Sequence, residues 1–372
     1  MMMMMTAAAA ATAMATALPA AAAAAATALP AHLEGIFLSL YSANEDYTED
    51  AWRREFAAMR AVGIKFAAVR AALVGSSSAT KGGKCPLGTY TAYYGTHLTP
   101  SDCYTILKDA NGTTPLDRLL AGAASNNVSI HITPAMPHTP YAWPHSPVPK
   151  YFQLLANMQA AAFDDIWRQY SQYQSIIVGV YTALEEWNGI GWMQYNESIT
   201  HDYLQPLASA VRSGRQQLEV WASPYYVGNH TLHTNAYSAK AYAAFWKRVW
   251  QLAPDFGWIA LQDSRGWQGN SDAEVAEALT ELAAAAHATG RALWSNVEIF
   301  EGWPKGCIYP TKCGRHPAPI DRVVKQLASE DTIVPRRHIA WEWSSCLSPY
   351  TNKNTSALYA DYVAYLGQQS TS

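Results

Sequence analysis

The stretch "GIFLSLYSANEDYTEDAWRREFAAMRAVGIKFAAVRAALVG" occupies residues 35–75. Its first seven residues, 35–41, form an apolar run of strand length. In "EDAWRREFAAMRAVG" (49–63) the apolar positions recur every three or four residues, the period of a helix with one buried face. A second apolar run, "IKFAAVRAALVG", covers 64–75. Strands that are apolar almost throughout are covered on both faces, as in a parallel sheet flanked by helices. A doubly wound open sheet would normally follow its first strand with a glycine-rich phosphate turn. "LYSANED" offers none.

The same unit recurs to the end of the chain. "NVSIHITPA" (127–135), "IIVGVYTALE" (176–185), "LEVWASPYY" (218–226), "WIALQDS" (258–264), "ALWSNVEIF" (292–300) and "HIAWEWSSCL" (338–347) read as further strands. Helical patterns follow the later strands near 115–125, 151–174, 198–215, 236–253, 272–289, 319–329 and 356–367. Eight strand–helix pairs in an unbroken series predict a single (β/α)8 barrel over residues 32–372. Long loops are expected after strands two, three and seven, near 76–114, 136–150 and 301–318.

Residues 1–31 are set apart as a low-complexity leader, rich in alanine and methionine. A signal peptide is one reading. Small-residue cleavage sites are abundant enough for it, while the lack of Lys or Arg before Arg53 leaves a disordered leader or a misplaced start as an equal alternative. Export has other support: Asn-x-Ser/Thr triplets at Asn111, Asn127, Asn196, Asn229 and Asn354, and cysteines in local pairs. Cys85–Cys103 and Cys307–Cys313 are expected disulfides, leaving Cys346 free. A net charge of −3 gives no basic footprint for nucleic acid, and no later apolar run is long enough for a membrane span. No cofactor or metal is expected, and the chain is expected to be a secreted monomer.

In a (β/α)8 barrel the reacting groups stand at the C-terminal ends of the strands. Arg70 belongs to strand two, Glu185-Glu186 ends strand four and Tyr225-Tyr226 ends strand five. Gln262-Asp263 ends strand six, Asn296 and Glu298 lie on strand seven, and Glu342 on strand eight. Carboxyls on strands four and seven face one another across a barrel mouth. Glycoside hydrolysis needs such a pair, one protonated and one ionised. Trp143, Trp187, Tyr225, Tyr226, Trp267 and Trp303 fall in the same loops, where flat aromatic faces stack on sugar rings.

The pieces "GIFLSLY", "YTALEEWNGIGW", "SPYY", "ALQDSRGW" and "LWSNVEIFEGW" together resemble the barrels of the domain of unknown function 4434 family, over roughly residues 35–365. That resemblance implies a glycoside-hydrolase-like barrel and matches Glu185, Asp263 and Glu298 to the family's strand-end carboxylates. Large glycosidase clans often place Asn before the strand-four acid, whereas Leu184 stands here.

The expected roles are therefore Glu298 as ionised nucleophile of a retaining enzyme, held charged by Arg70 and Asn296, and Glu185 as general acid/base. Strand alternation selects Glu185 over Glu186 for the mouth, although the sequence leaves either open. Arg70, Trp143, Trp187, Tyr225, Tyr226, Gln262, Asp263, Trp267, Asn296, Trp303 and Glu342 are the candidate substrate-binding residues. Each has a plainer reading: buried ion pairs for the charged groups and core packing for the aromatics. A non-catalytic carbohydrate-binding barrel would keep the aromatics without needing the acid pair. A metal-dependent barrel hydrolase would want an H-x-H on strand one, and "GIFLSLY" contains no His.

Overall fold

A computed structural model describes residues 31–40, 44–77, 85, 88–137, 149–182, 184–228, 235–303 and 314–369. The barrel strands are β1 (Gly35–Ser39), β2 (Phe66–Arg70), β3 (Ser129–Ile132), β4 (Ile177–Tyr181), β5 (Glu219–Trp221), β6 (Ile259–Gln262), β7 (Leu293–Glu298) and β8 (His338–Trp341). They lie in the order β5-β4-β3-β2-β1-β8-β7-β6, every neighbouring pair parallel. Parallel bridges Ala222–Ile259 and Tyr225–Gln262 join the two ends. The sheet thus closes into the expected barrel.

Helices α1 (Glu49–Ala61), α2 (Pro115–Ser125), α3 (Phe152–Gln169), α4 (Gln205–Arg212), α5 (Ala239–Leu252), α6 (Asp272–Ala288), α7 (Ile320–Asp331) and α8 (Lys353–Gln369) follow the strands in turn. Local chemistry sets several of their starts. Thr114 and Asp117 form a capping box at α2, with Pro115 in the first turn, and Ser271 and Glu274 form another at α6. Such caps satisfy amides that the first turn would leave orphaned.

The barrel interior is filled largely by aromatics, so core packing accounts for much of the tryptophan. Near the strands' N-terminal ends, Phe66 packs its ring 5.2 Å from His131 and 5.4 Å from Trp294. Trp221 stacks on Trp258 at 4.2 Å. Phe37 lies 5.1 Å from Tyr181 and 5.0 Å from Trp341. Gly179 makes room for this packing: a Cβ there would sit 2.2 Å from the Glu219 carbonyl oxygen and 2.9 Å from His131 Nδ1.

Three departures from the sequence pattern bear on the mouth. The run 64–75 is broken at Ala71, whose φ of +60° turns the chain out of the barrel. Beyond that turn the chain forms a small three-stranded sheet (Leu73–Ser77, Thr89–Ala92, Tyr104–Ile106) carrying the expected Cys85–Cys103 disulfide, Cα atoms 5.8 Å apart. The loop after β7 likewise builds a hairpin, Phe300–Trp303 with Gly314–Pro317. Finally, β4 ends at Tyr181, so Glu185 stands in the loop beyond it.

Cys346 is free and buried, as expected, its thiol pushed up to about 11 by desolvation. Cys307 and Cys313 lie outside the described residues. No helix among the described residues is long and apolar enough to cross a membrane.

Candidate active site

Glu298 ends β7 and is 5% exposed. Its Oε2 accepts hydrogen bonds from the backbone N–H of Gly266 at 2.8 Å and of Trp267 at 3.0 Å. The turn that presents these amides is held by Asp263, whose Oδ1 accepts from the N–H of Arg265 and of Glu298, each at 3.2 Å. Ser264, at φ +54°, starts that turn in the left-handed region. Only glycine fits at 266, because a Cβ would meet the Phe300 carbonyl oxygen at 2.3 Å and Glu298 Oε2 at 3.1 Å.

Two expectations about Glu298 are corrected here. Its donors are the backbone amides of Gly266 and Trp267 rather than Arg70 and Asn296. Asn296 is fully buried below the mouth and donates to Ser223 Oγ at 2.9 Å, beside Gln262, which donates to the Ser223 carbonyl at 2.6 Å. Nor do the surroundings of Glu298 favour the ionised form. Desolvation, then the negative charge of Asp263, raise its carboxyl to about 8, against the opposing pull of Arg315, the Gly266 amide and Arg322.

Asp263 is 1% exposed and points towards α7, where its Oδ2 accepts from Gln326 Nε2 at 2.5 Å. Arg265 and Glu330 complete this buried network, in which Arg265 Nη2 lies 3.4 Å from Glu330 Oε1 and Ser295 Oγ donates to Glu330. Asp263 is therefore placed to support Glu298 from behind.

Glu185 is partly exposed, and its charge acts on Tyr181 of β4 together with that of Arg70. Glu186 is fully buried, and neither of its carboxyl oxygens finds a hydrogen-bond partner among the described residues. Burial, with the nearby Glu185 charge, raises it to about 8. Of the two, Glu185 is the one with exposed surface.

Arg70 lies over the Trp341 ring at 4.5 Å, and Glu342 accepts from Ser39 Oγ at 2.9 Å. The peptide between Trp341 and Glu342 is cis. Trp187 stacks flat on Tyr225 at 5.6 Å, both nearly buried. Trp267 is half-buried and packs edge-on to Phe300 at 6.2 Å. Tyr226 does not join them. It is 2% exposed and stacks on Tyr242 of α5, on the helix side. The backbone of Trp303 belongs to the hairpin after β7, and Trp143 lies outside the described residues.

Sequence reasoning missed Arg315. Its guanidinium lies over Trp267 at 4.6 Å, Phe300 at 4.8 Å and Trp341 at 6.0 Å. A single Arg in "KCGRHPAP" gives no periodic signal, and only the hairpin brings it to the mouth. Among the described residues, one group has metal-ligand spacing, Cys85, Asp102 and Cys103, and its thiols are joined in the disulfide.

A (β/α)8 barrel with carboxyls, arginines and aromatic faces gathered at its C-terminal mouth defines the class of protein. The particular family is the one described as Domain of unknown function (DUF4434): the chain belongs to it, and the family's model matches residues 33–353. None of the curated proteins matches it in sequence. The fold is similar to that of an α-L-fucosidase-like protein from Bacteroides thetaiotaomicron, with a TM-score of 0.68 at 16% identity, covering 91% of this chain and 94% of that one. It is also similar to an endo-1,4-β-mannanase from Rhizomucor miehei, with a TM-score of 0.50 at 10% identity and 91% and 95% covered. An exo-β-1,4-mannosidase from an Opitutaceae bacterium gives a TM-score of 0.50 at 11% identity, with 91% and 60% covered.

Proposed function

We propose that this protein is a glycoside hydrolase acting on an oligo- or polysaccharide, with Glu185 and Glu298 as its carboxyl pair. The observation that carries this reading is Glu298, a buried strand-end carboxyl held by two convergent amides beside aromatic faces at the barrel mouth. The names of the structural relatives, a fucosidase-like protein, a mannanase and a mannosidase, support a sugar chain as substrate. An export route and a monomeric state are part of the same proposal. The Cys85–Cys103 disulfide supports an oxidising compartment.

A carboxyl that keeps its proton near neutral pH is suited to protonate the glycosidic oxygen, while its partner acts as base or nucleophile. Glu298, raised to about 8, takes the acid role in this reading, and Glu185 the other. That reverses the roles expected from strand position. Retention of anomeric configuration follows if Glu185 forms a glycosyl-enzyme intermediate as Glu298 gives its proton to the leaving oxygen, and water deprotonated by Glu298 then attacks the anomeric carbon and frees Glu185.

The experiment is a glycan panel with product analysis, followed by a leaving-group test on the substrate found. Glu298→Ala should lose about 10²–10⁴-fold on a natural glycoside and far less on one with an activated leaving group, which needs no proton. Glu185→Ala should lose most activity on both. The opposite pattern would return the acid role to Glu185. No turnover on any glycan, with binding intact, would make the protein a carbohydrate-binding barrel.

A further inference from the structure

The two arginines that reach this mouth are held differently from those behind it. Arg322, from α7, spends its donors inside the protein, on the Glu298 carbonyl at 2.9 Å and the Phe300 carbonyl at 2.5 Å, with Glu301 3.4 Å away. Arg265 is buried and faces Asp263, Asp272 and Glu330. Arg315 is exposed, stands opposite Gly302 in the hairpin register, and forms no ion pair or hydrogen bond among the described residues. Its contacts are the faces of Trp267, Phe300 and Trp341. Stacking fixes the plane of a guanidinium while leaving its N–H edge outward, an arrangement matched to the two oxygens of a carboxylate or sulfate. Arg70 addresses the same Trp341 ring at 4.5 Å. Two cations thus share one aromatic platform beside Glu298.

We infer that the sugar chain bound at this mouth carries an anionic group, a carboxylate or a sulfate ester, and that Arg315 receives it. The inference rests on the carbohydrate reading above and adds the substrate class. A neutral sugar would be served by the aromatic faces alone, whereas here a guanidinium covers part of Trp267. An anion docked edge-on to Arg315 would hold the chain against the half-buried Trp267, with its adjoining bond towards Glu298.

The test measures binding by calorimetry in a Glu298→Gln background, so that turnover does not consume the ligand. The probes are oligouronates, sulfated oligosaccharides and the carboxyl-reduced or desulfated counterpart of each. One acidic series should bind about tenfold or more tighter than its neutral counterpart, a difference of about 1.4 kcal/mol. Its affinity should fall with salt while that of the neutral chain holds steady. Arg315→Gln should collapse the acidic-to-neutral ratio towards one. Arg315→Lys should keep part of it, because charge survives and the bidentate fork does not. Preference for uronates or for sulfated chains identifies the group. Equal binding of acidic and neutral chains, or an Arg315→Gln loss in equal proportion on both, overturns the inference. The glycosidase reading fails separately: acid-selective binding through Arg315 without turnover by the wild type sinks hydrolysis and leaves this inference standing. Turnover of neutral chains with no acidic preference does the reverse.

Discussion

At the scale of single residues, Glu298 shows both what the sequence discloses and what it withholds. Its place at the end of the seventh strand is legible, because an acidic residue within "ALWSNVEIF" has to be accommodated at a strand tip. Its donors are not legible, since backbone amides carry no side-chain signature. Asn296 looked like a donor because it shares the strand, yet its position two residues earlier places it one layer deeper, against Ser223. Gly266 tests the amide cradle. In Gly266→Ala the new Cβ must displace either the Phe300 carbonyl or the turn itself, at a cost of about 1–3 kcal/mol in stability. Losing the amides removes bonds that favour the ionised carboxyl. The alkaline limb of kcat/KM, expected near pH 8 in the wild type, should therefore move upward while its maximum falls. A lowered maximum with an unmoved limb would mean that the amides do not act on Glu298.

At the scale of elements, the β6–α6 turn and the β2 excursion carry the site. Asp263 was expected to touch substrate, but the alternation of β6 sends it to the helix side, where it joins the turn to β7. Charge and hydrogen bonding separate in its variants. Asp263→Asn can keep the acceptor for Arg265 and Glu298 while removing the negative charge that raises Glu298. Its alkaline limb should move to lower pH with most of the maximal rate preserved, whereas Asp263→Ala should lose rate as the turn loosens. The β2 excursion was invisible because nothing in "AAVRAALV" marks the positive φ of Ala71. An uninterrupted apolar run gives no boundary. Its disulfide was legible from the local pairing of the cysteines, given an oxidising compartment. Cys85→Ser should destabilise the protein by about 3 kcal/mol, the chain-entropy value for a loop of this size, measured as a lowered denaturation midpoint.

At the scale of the whole molecule, the buried ionisable groups set how stability varies with pH. Glu186, Glu298 and Glu330 are all raised, chiefly by desolvation, the first two to about 8. Their folded forms hold protons that the unfolded chain releases near its ordinary glutamate range, so their contribution is complete below that range and declines as pH rises towards 8. His131 and His338 act at the other end. Burial lowers both, His131 to about 3, so their contribution is present above the unfolded histidine value of ~6.5 and is lost as pH falls. Between ~4.5 and ~6.5 the two sets oppose one another. Above ~6.5 the histidines are neutral in both states, and the raised groups govern the slope, the glutamates first and the Cys346 thiol as pH nears 8. Stability should therefore fall from about pH 6.5 to 8, by as much as about 1.4 kcal/mol per pH unit for each glutamate. Glu186 isolates the effect, since neither of its oxygens has a partner to lose among the described residues. Glu186→Gln keeps the shape without the titration, so it should flatten part of that decline and make the variant more stable than the wild type at about pH 8. Denaturant midpoints across this window would check it. A Glu186→Gln slope equal to the wild type's would show that Glu186 titrates normally in the folded chain.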